Sequence, residues 1–351
     1  MQNILDPAIL FFVFGVLAGA VRSNLEIPPA ISRFLSLYLL MALGLKGGFA
    51  LSHSGLTASV GLSLAAAVAL AIAVPLIGYN ILRRFVSGFD AAAVAATYGS
   101  VSAVTFVTAV QYLENQQVAY GGHMAAAMAL MESPAIIMAI VFANSLRQQA
   151  SATATVSAVM PPGGAAVLSG PGATLAAGAG SATGGKHGVS VGKILHESFT
   201  DGAQLLLLGA MVVGIVTGDA GKAAMQPFSG DLFKGMLSFF LLDMGLMAAR
   251  NLMQIRGKSP VLVAYAVLGP LLHATLALTL AVLLHLPTGD AALLMVLAAS
   301  ASYIAVPAVL RYAMPEATPS LYFGLSLGVT FPLNILFGIP LYVAVARAVL
   351  G

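Results

Sequence analysis

The sequence predicts an all-α membrane protein with ten transmembrane helices, arranged as two inverted five-helix repeats with broken helices in spans 4 and 9. Three observations predict this class. The first is composition: the 351 residues are 59% hydrophobic and only 8% charged, against roughly 25% charged in a soluble domain. The mean hydropathy is +0.96. Ten apolar runs and an internal repeat are the other two observations.

The ten apolar runs have lengths close to or above the about 20 residues that a spanning helix needs. No basic stretch precedes the first run, so we expect no cleaved signal peptide. The predicted spans are Pro7–Val21, Ile31–Leu51, Leu56–Ile81, Ala91–Leu113, Tyr120–Leu146, Asp201–Thr217, Leu232–Leu252, Pro260–Leu286, Ala291–Tyr312 and Pro319–Val349.

A polar stretch separates the fifth run from the sixth. Its central part, Ser151–Ser190, consists almost entirely of Ser, Ala, Thr, Gly, Pro and Val. Residues this small cannot pack a hydrophobic core, and the composition is typical of a flexible tether. We therefore expect a first repeat at residues 1–146, a flexible Gly/Ala/Ser-rich linker at 147–196 and a second repeat at 197–351.

The distribution of Lys and Arg predicts the orientation in the membrane, because cytoplasmic loops carry the excess of positive charge. The loops after odd-numbered spans carry eleven of these residues and the opposite face carries four. We therefore predict an inner-membrane protein with both termini outside and a cytoplasmic linker. The two sets are Arg22, Arg33, Arg83, Arg84, Arg147, Lys186, Lys193, Arg250, Arg256, Lys258 and Arg311, and Lys46, Lys222, Lys234 and Arg347.

The two halves of the chain share short matches at a nearly constant spacing. Each half has five spans, an odd number, so the second copy must enter the membrane upside down. Inverted repeats are typical of secondary transporters, whose binding sites lie between the repeats near the midplane. The matching segments are Gly15–Gly19 with Gly214–Gly218, Leu40–Leu45 with Leu241–Leu246, Ser100–Ser102 with Ser300–Ser302, and Pro134 with Pro332.

The fourth and ninth spans are interrupted by small polar residues. Gly99 and Pro307 weaken a helix at equivalent places, which favours two broken helices whose ends meet inside the membrane. Free N–H groups at helix N-termini suit an anion, and hydroxyl oxygens suit Na⁺. Alternatively, the hydroxyls only bond within their helices or aid packing. The hydroxyl candidates are Ser100, Ser102, Thr105, Ser300 and Ser302.

Ionisable groups inside spans are costly and are functional candidates. Glu132 lies mid-span, followed by Ser133 and by Pro134, which frees a backbone carbonyl. We expect Glu132 to take part in cation or proton coupling; a structural hydrogen bond is the alternative. Asp243 is a second candidate, at a position where the first half has Ala42. Lys46, near the end of span 2, is expected to extend its ammonium group to the interface.

The chain resembles the sodium-dependent bicarbonate transporter family known from cyanobacteria, over nearly its whole length apart from the linker. The resembling segments are Ile27–Ser32, Gly44–Gly48, Tyr98–Ser102, Met131–Pro134 with Ala143-Asn144, and Ala298–Gly324, which contains Pro307, Leu310-Arg311, Pro315 and Thr318–Ser320.

The resemblance implies a secondary active transporter: a Na⁺-coupled bicarbonate symporter of elevator type, with core and gate domains and a homotrimeric assembly. It implies no cofactor beyond the coupling ion, and a cytoplasmic PII-like regulator as a possible partner. Substrate would bind at the broken helices of spans 4 and 9. The corresponding residues are Ser100, Val101, Ser102, Thr105, Ser300, Ala301 and Ser302.

The sequence departs from the family pattern at two carboxylates. Tyr303 stands where the family has an aspartate, and Glu132 stands where the family has another. We take Ser102, Ser302 and Glu132 as the Na⁺ ligand set. Cation coupling is expected from Glu132, Ser133, Asp243 and Tyr303.

Two alternatives to this function remain open. One is an H⁺-coupled carrier for another small anion, such as a monocarboxylate; the other is a non-transporting membrane sensor or scaffold. An enzyme is not expected, because no nucleophile–base pair or metal cluster is visible. Nucleic acid is not an expected partner either, and the absence of cysteine excludes disulfides.

Overall fold

The computed structural model describes residues 6–55, 57–159, 202–253 and 259–351. All regular elements in these ranges are helical. Seven of the described segments are long and apolar enough to cross a membrane, and Pro7–Ala20 and Thr288–Ala299 are shorter apolar helices. The predicted class of an all-α, multi-pass membrane protein is therefore confirmed.

The first half of the chain forms six helices. They are α1 (Pro7–Ala20), α2 (Pro29–Ser54), α3 (Ala58–Leu82), α4 (Gly88–Gly99), α5 (Ala103–Asn115) and α6 (Met124–Val159). Short polar side chains accept hydrogen bonds from the first free N–H groups of several of them. Asp6 accepts from Ala8 N at 2.9 Å and Ser87 accepts from Asp90 N at 3.1 Å.

In the described part of the second half, residues 202–253 and 259–351, there are again six helices. They are α7 (Gly202–Gln226), followed by a π-helical turn (Pro227–Asp231), α8 (Phe233–Leu252), α9 (Pro260–Leu283), α10 (Thr288–Ala299), α11 (Ala305–Ala313) and α12 (Pro319–Leu350). Two π-helical stretches, Gly324–Thr330 and Asn334–Gly338, lie within α12. Each predicted apolar run thus contains a helix, and the fourth and ninth runs contain two.

The predicted linker begins as helix rather than as tether. Helix α6 runs on to Val159, because residues 135–159 contain neither Gly nor Pro to end it. The remainder of the linker and Asp201, the predicted start of span six, lie outside the described residues. We call the side of the molecule where α6 ends and α7 begins the linker face, and the other side the far face.

Glycines bring helices from the two halves into backbone contact. Helix α1 packs along α8, and α2 packs along α7. A Cβ atom on Gly15 would lie 2.2 Å from the carbonyl oxygen of Leu242, and one on Gly48 would lie 2.2 Å from that of Met211. Small residues permit this approach in membranes. Gly15 and Gly48 therefore form helix–helix contacts within one chain.

Substitution of Gly245 by Ala should destabilise the α1–α8 contact. Its new Cβ would lie 2.3 Å from the carbonyl oxygen of Phe12, so the helices must separate. Overpacking of this kind costs about 1–3 kcal/mol. We expect a lower melting temperature for the purified protein in detergent.

Gly235→Ala is the matched control on the same helix, since nothing lies within 4 Å of its added Cβ. It should leave the melting temperature unchanged or raise it, because Ala favours helix by about 1 kcal/mol over Gly. Equal melting temperatures for both variants would show that the close contact is not required.

Candidate functional site

The helix breaks fall at the predicted serines. Helix α4 ends at Gly99 and α5 begins at Ala103, while α10 ends at Ala299 and α11 begins at Ala305. The break residues Ser100 and Ser300 are extended, with φ/ψ of −96°/176° and −82°/167°.

Gly99 shows why the first break needs a glycine. A Cβ atom at this position would lie 2.0 Å from Cγ of Pro75 in α3. The chain can therefore pass this close to α3 only with no side chain at the end of α4.

The two breaks cross, and each satisfies backbone groups of the other. The backbone N–H of Ser102 donates to Oγ of Ser300 at 3.0 Å. The backbone N–H of Ser302 donates to the carbonyl oxygen of Thr97 at 2.9 Å. These bonds hold polar backbone that would otherwise be unpaired within the membrane.

Each crossing segment also caps the helix that follows it. Oγ of Ser102 accepts from the N–H of Thr105 at 3.2 Å, and Oγ of Ser302 accepts from the N–H of Val306 at 3.4 Å. The N-terminal ends of α5 and α11 thus meet at the crossing. Their dipoles place partial positive charge there, which attracts an anion.

A cavity of about 570 Å³ lies beside the crossing. Its walls come from α2, α5, α6, α7 and α11 together with the two breaks. Glu132 is the acidic residue among the lining residues, and none of them is basic. Five of the predicted site residues line it: Val101, Ser102, Glu132, Ser302 and Tyr303.

The cavity opens towards the linker face. Its lining includes Ala203 and Gln204, which lie in the first turn of α7 directly after the linker. It also includes Tyr312, in the last turn of α11, whose surface is 86% exposed.

The other predicted site residues lie outside the cavity lining. Ser300 bonds Ser102 N and donates to the carbonyl oxygen of Leu297 at 2.9 Å, so it joins the two breaks. Oγ of Ser100 and Oγ1 of Thr105 are buried without a hydrogen-bond partner in the described part of the chain. Ala301 and Ser133 are buried as well.

Two predicted ionisable residues have partners away from the cavity. Asp243, on α8, accepts a hydrogen bond from Ser32 on α2. Lys46 forms an ion pair with Glu114, 3.0 Å from Nζ, and its Nζ lies 4.1 Å from the ring centroid of Phe233. Lys46 therefore has a carboxylate and an aromatic face as partners, and its extension to the membrane interface stays a prediction.

Gln204 is a lining residue that the sequence did not indicate. Its Nε2 donates to Oε2 of Glu132, so it fixes the carboxylate of the cavity. The position lies at the start of the sixth span, where a polar residue is ordinary at a membrane interface. The one available signal was a glutamine directly before the apolar run Leu205–Leu208.

Tyr303 fills the wall where the family pattern has a carboxylate. It is 6% exposed, and its hydroxyl donates to Sδ of Met244 at 3.7 Å. It therefore adds no charge to the cavity. Among residues 6–55, 57–159, 202–253 and 259–351, no group of three or more His, Cys, Asp and Glu side chains is placed to hold a metal ion.

The arrangement combines groups that suit both ions of a coupled pair. Helix N-termini and hydroxyls suit a small anion, and carboxylate and hydroxyl oxygens suit a hard cation. A comparison with curated proteins found no match. A scan of protein families matches residues 7–347 to the model of the "Na+-dependent bicarbonate transporter superfamily". The match covers nearly the whole chain and confirms the resemblance: the chain belongs to the Na⁺-dependent bicarbonate transporter superfamily, whose members are transporters and not enzymes.

Proposed function

We propose that the protein is a Na⁺-coupled bicarbonate symporter that works by an elevator movement of a core domain against a gate domain. The observation that carries this proposal is one cavity lined by Glu132 and by Ser102 and Ser302, whose hydroxyls accept from N–H groups in the first turns of α5 and α11. Anion-binding helix ends and a cation-binding carboxylate thus face the same space.

The two proposed domains differ in how their helices are held together. The gate domain comprises α1, α2, α7 and α8, which contact through glycines. The core domain comprises α3–α6 and α9–α12, which carry both broken helices. The cavity lies between them, since α2 and α7 form one wall and α5, α6 and α11 the other. A shift of one domain past the other would therefore change access to the cavity.

Two pairs of equivalent contacts support the inverted repeat. Asp90, in the first turn of α4, accepts from the backbone N–H of Thr318 at 2.8 Å. Asp290 lies 200 positions later, in the first turn of α10, and accepts a hydrogen bond from the backbone N–H of Gly121 at 2.5 Å. Each acid thus holds the loop that precedes the last helix of the other repeat.

Two arginines repeat the pattern at the other end of those loops. Arg147 donates to the carbonyl oxygen of Ala313 at 2.9 Å, and Arg347 donates to that of Gln116 at 3.1 Å. Arg147 also binds Glu316 at 2.8 Å and lowers the pKa of that exposed carboxyl by hydrogen bonding. Four contacts related in pairs by about 200 positions are expected if the halves are inverted copies.

The charges at the cavity give a physical basis for coupling. Two helix N-termini contribute about half an elementary charge each, which together offset one ionised Glu132. The empty cavity is then close to neutral, and so is the cavity with one Na⁺ and one bicarbonate. Either ion alone leaves a net charge, which is costly to carry through hydrocarbon. The proposed stoichiometry is therefore one to one.

Orientation and assembly are further parts of the proposal. The excess of Lys and Arg in the linker-face loops supports a cytoplasmic linker face and both termini outside. The cavity then opens to the cytoplasm. The inner-membrane location, the homotrimer, the flexible linker and a PII-like regulator stay predictions from the sequence and its resemblance.

Tyr303 favours a second candidate function. Without the family's aspartate at that position, the cavity has fewer oxygen ligands for a metal cation. An H⁺-coupled carrier for another small anion would need fewer such ligands. Ser133 and Asp243 offer this cation little, since both lie outside the cavity lining.

Bicarbonate uptake into proteoliposomes should require an inward Na⁺ gradient. Replacing Ser102 and Ser302 together by Ala removes both hydroxyls from the cavity and the side-chain caps of α5 and α11. We expect uptake to fall at least about tenfold, the effect of losing roughly 1.4 kcal/mol of substrate interaction. The initial rate of radiolabelled bicarbonate uptake, compared between the variant and the wild-type protein, measures this fall.

The matched control is the double variant Ser63→Ala and Ser326→Ala. Both serines are buried and bond only within their own helices. Normal uptake in the Ser102/Ser302 variant would show that the two hydroxyls are not part of the binding site. Uptake driven by a pH gradient and independent of Na⁺ would support the H⁺-coupled alternative.

Substitution of Glu132 by Gln should abolish the Na⁺ dependence of uptake. The amide keeps the shape and a hydrogen-bonding oxygen but removes the charge that the cation neutralises. Glu132→Asp keeps the charge and should retain a saturable Na⁺ dependence with a weaker apparent affinity. Initial uptake rates against Na⁺ concentration measure both variants.

Equal Na⁺ curves for the wild-type protein and Glu132→Gln would argue that Glu132 has a structural role only. Its hydrogen bond from Gln204 would then be its function. A melting temperature close to that of the wild type is needed for either conclusion.

A further inference from the structure

A second cavity, of about 240 Å³, lies at the far face. Its walls come from α1, α5, α8 and α12. These elements are the counterparts, in the inverted repeat, of α7, α11, α2 and α6, which line the central cavity. Five pairs of lining residues are spaced by 199–201 positions across the two cavities: Ala308 with Thr108, Tyr312 with Tyr112, Leu207 with Ala8, Ser36 with Leu237, and Ile136 with Ile335.

A polar cluster centred on Asn115, the last residue of α5, lies at the rim of this second cavity. Its Nδ2 donates to Oδ2 of Asp6, the N-cap of α1, at 3.0 Å. Its Oδ1 accepts from Nζ of Lys234, in the first turn of α8, at 3.0 Å. Gln111, one turn earlier on α5, donates to the same oxygen at 3.0 Å. Asn115 thus joins the core-domain helix α5 to two gate-domain helices.

Among the described residues, the linker face has no counterpart of Asn115. The equivalent position is Pro315, 200 residues later, whose side chain can neither donate nor accept a hydrogen bond. On that side the bond from Gln204 to Glu132 joins the two domains, and the cavity is the larger of the two. The smaller cavity therefore coincides with a cluster of polar contacts between the domains at its rim.

We propose that the far-face cavity is the closed second access path of the carrier, and that Asn115, with Asp6 and Lys234, is the lock that keeps it closed. This proposal rests on the alternating movement of the proposed function. In the opposite state the lock opens, the far-face cavity widens and the central cavity loses its opening at the linker face. Asn115 is a positioning residue here, since it lies away from the crossing where the ions would bind.

Cysteine accessibility tests the lock without any transport measurement. The chain contains no cysteine, so a single introduced thiol is the only one labelled. Thr108→Cys reports on the far-face cavity and Ala308→Cys, at the equivalent position, reports on the central cavity. Each cysteine is introduced separately into the chain, and the protein is placed in nanodiscs, which leave both faces accessible. The thiol is then labelled with a hydrophilic maleimide. In the otherwise unchanged chain, we expect fast labelling at 308 and slow labelling at 108.

Asn115→Leu removes the two hydrogen bonds that Asn115 makes across the domain boundary, while the Lys46–Glu114 ion pair remains. Each lost bond contributes a factor of about 2 to 13, so we expect labelling at position 108 to rise at least about fivefold. Labelling at position 308 should fall in the same variant, because the two cavities exchange. Lys234→Met removes one of the bonds and should give a smaller change in the same directions.

Gln226→Leu is the matched control. It removes an exposed hydrogen bond of 3.4 Å to Asp231 on the same side of the chain, which joins no two domains. It should change neither labelling rate. If labelling at position 108 is unchanged in both lock variants, the lock is refuted.

A rise at position 108 without a fall at position 308 would also overturn the proposal, since it shows local loosening of α5 and no exchange. These readouts need neither Na⁺ nor bicarbonate. A wrong substrate assignment would therefore leave them unaffected, and it would appear only in the uptake measurements.

Discussion

The crossing of the two broken helices is the constraint on which the site depends. Breaking a helix inside a membrane exposes N–H and C=O groups that have no water to bind. Here each half supplies a hydrogen-bond acceptor for a backbone N–H group in the break of the other half. The N–H of Ser102 donates to Oγ of Ser300, and the N–H of Ser302 donates to the carbonyl oxygen of Thr97. Neither break is satisfied alone. The serines therefore stabilise the fold first, and the hydroxyls of Ser102 and Ser302, which line the cavity, are the ones that the proposed function assigns to the ions.

The two halves are held together by two different kinds of contact, and the difference matters for movement. Glycines let α1 meet α8 and α2 meet α7 backbone to backbone. The other helices are tied by directional bonds at their loops, from Asp90, Asp290, Arg147 and Arg347. If the proposed elevator movement occurs, the boundary between these two groups of helices is where sliding would cost least, and the central cavity lies on that boundary.

The sequence predicted those features that depend on local backbone chemistry. Hydropathy located the apolar helices, and Gly99 with the paired serines located both breaks. It could not locate contacts between distant residues that look ordinary in isolation. Gln204 looked like an interfacial residue, yet it binds Glu132. Asp243 looked like a lone intramembrane charge, yet it accepts from Ser32, 211 positions away. Ser100 and Thr105 were predicted to bind substrate; both are buried, and neither is among the residues that line the cavity.

The charge at the cavity wall links the departure at Tyr303 to the coupling. A carboxylate at that position, beside an ionised Glu132, would leave the empty cavity with a net negative charge of about one after the two helix ends are counted. Such a cavity would cross hydrocarbon only with an additional cation bound. Tyr303 keeps the wall filled, with its hydroxyl on Met244, and removes that requirement. Glu132 is then the one acidic group among the residues that line the cavity, so in the proposed symport a single cation would be enough to balance the anion.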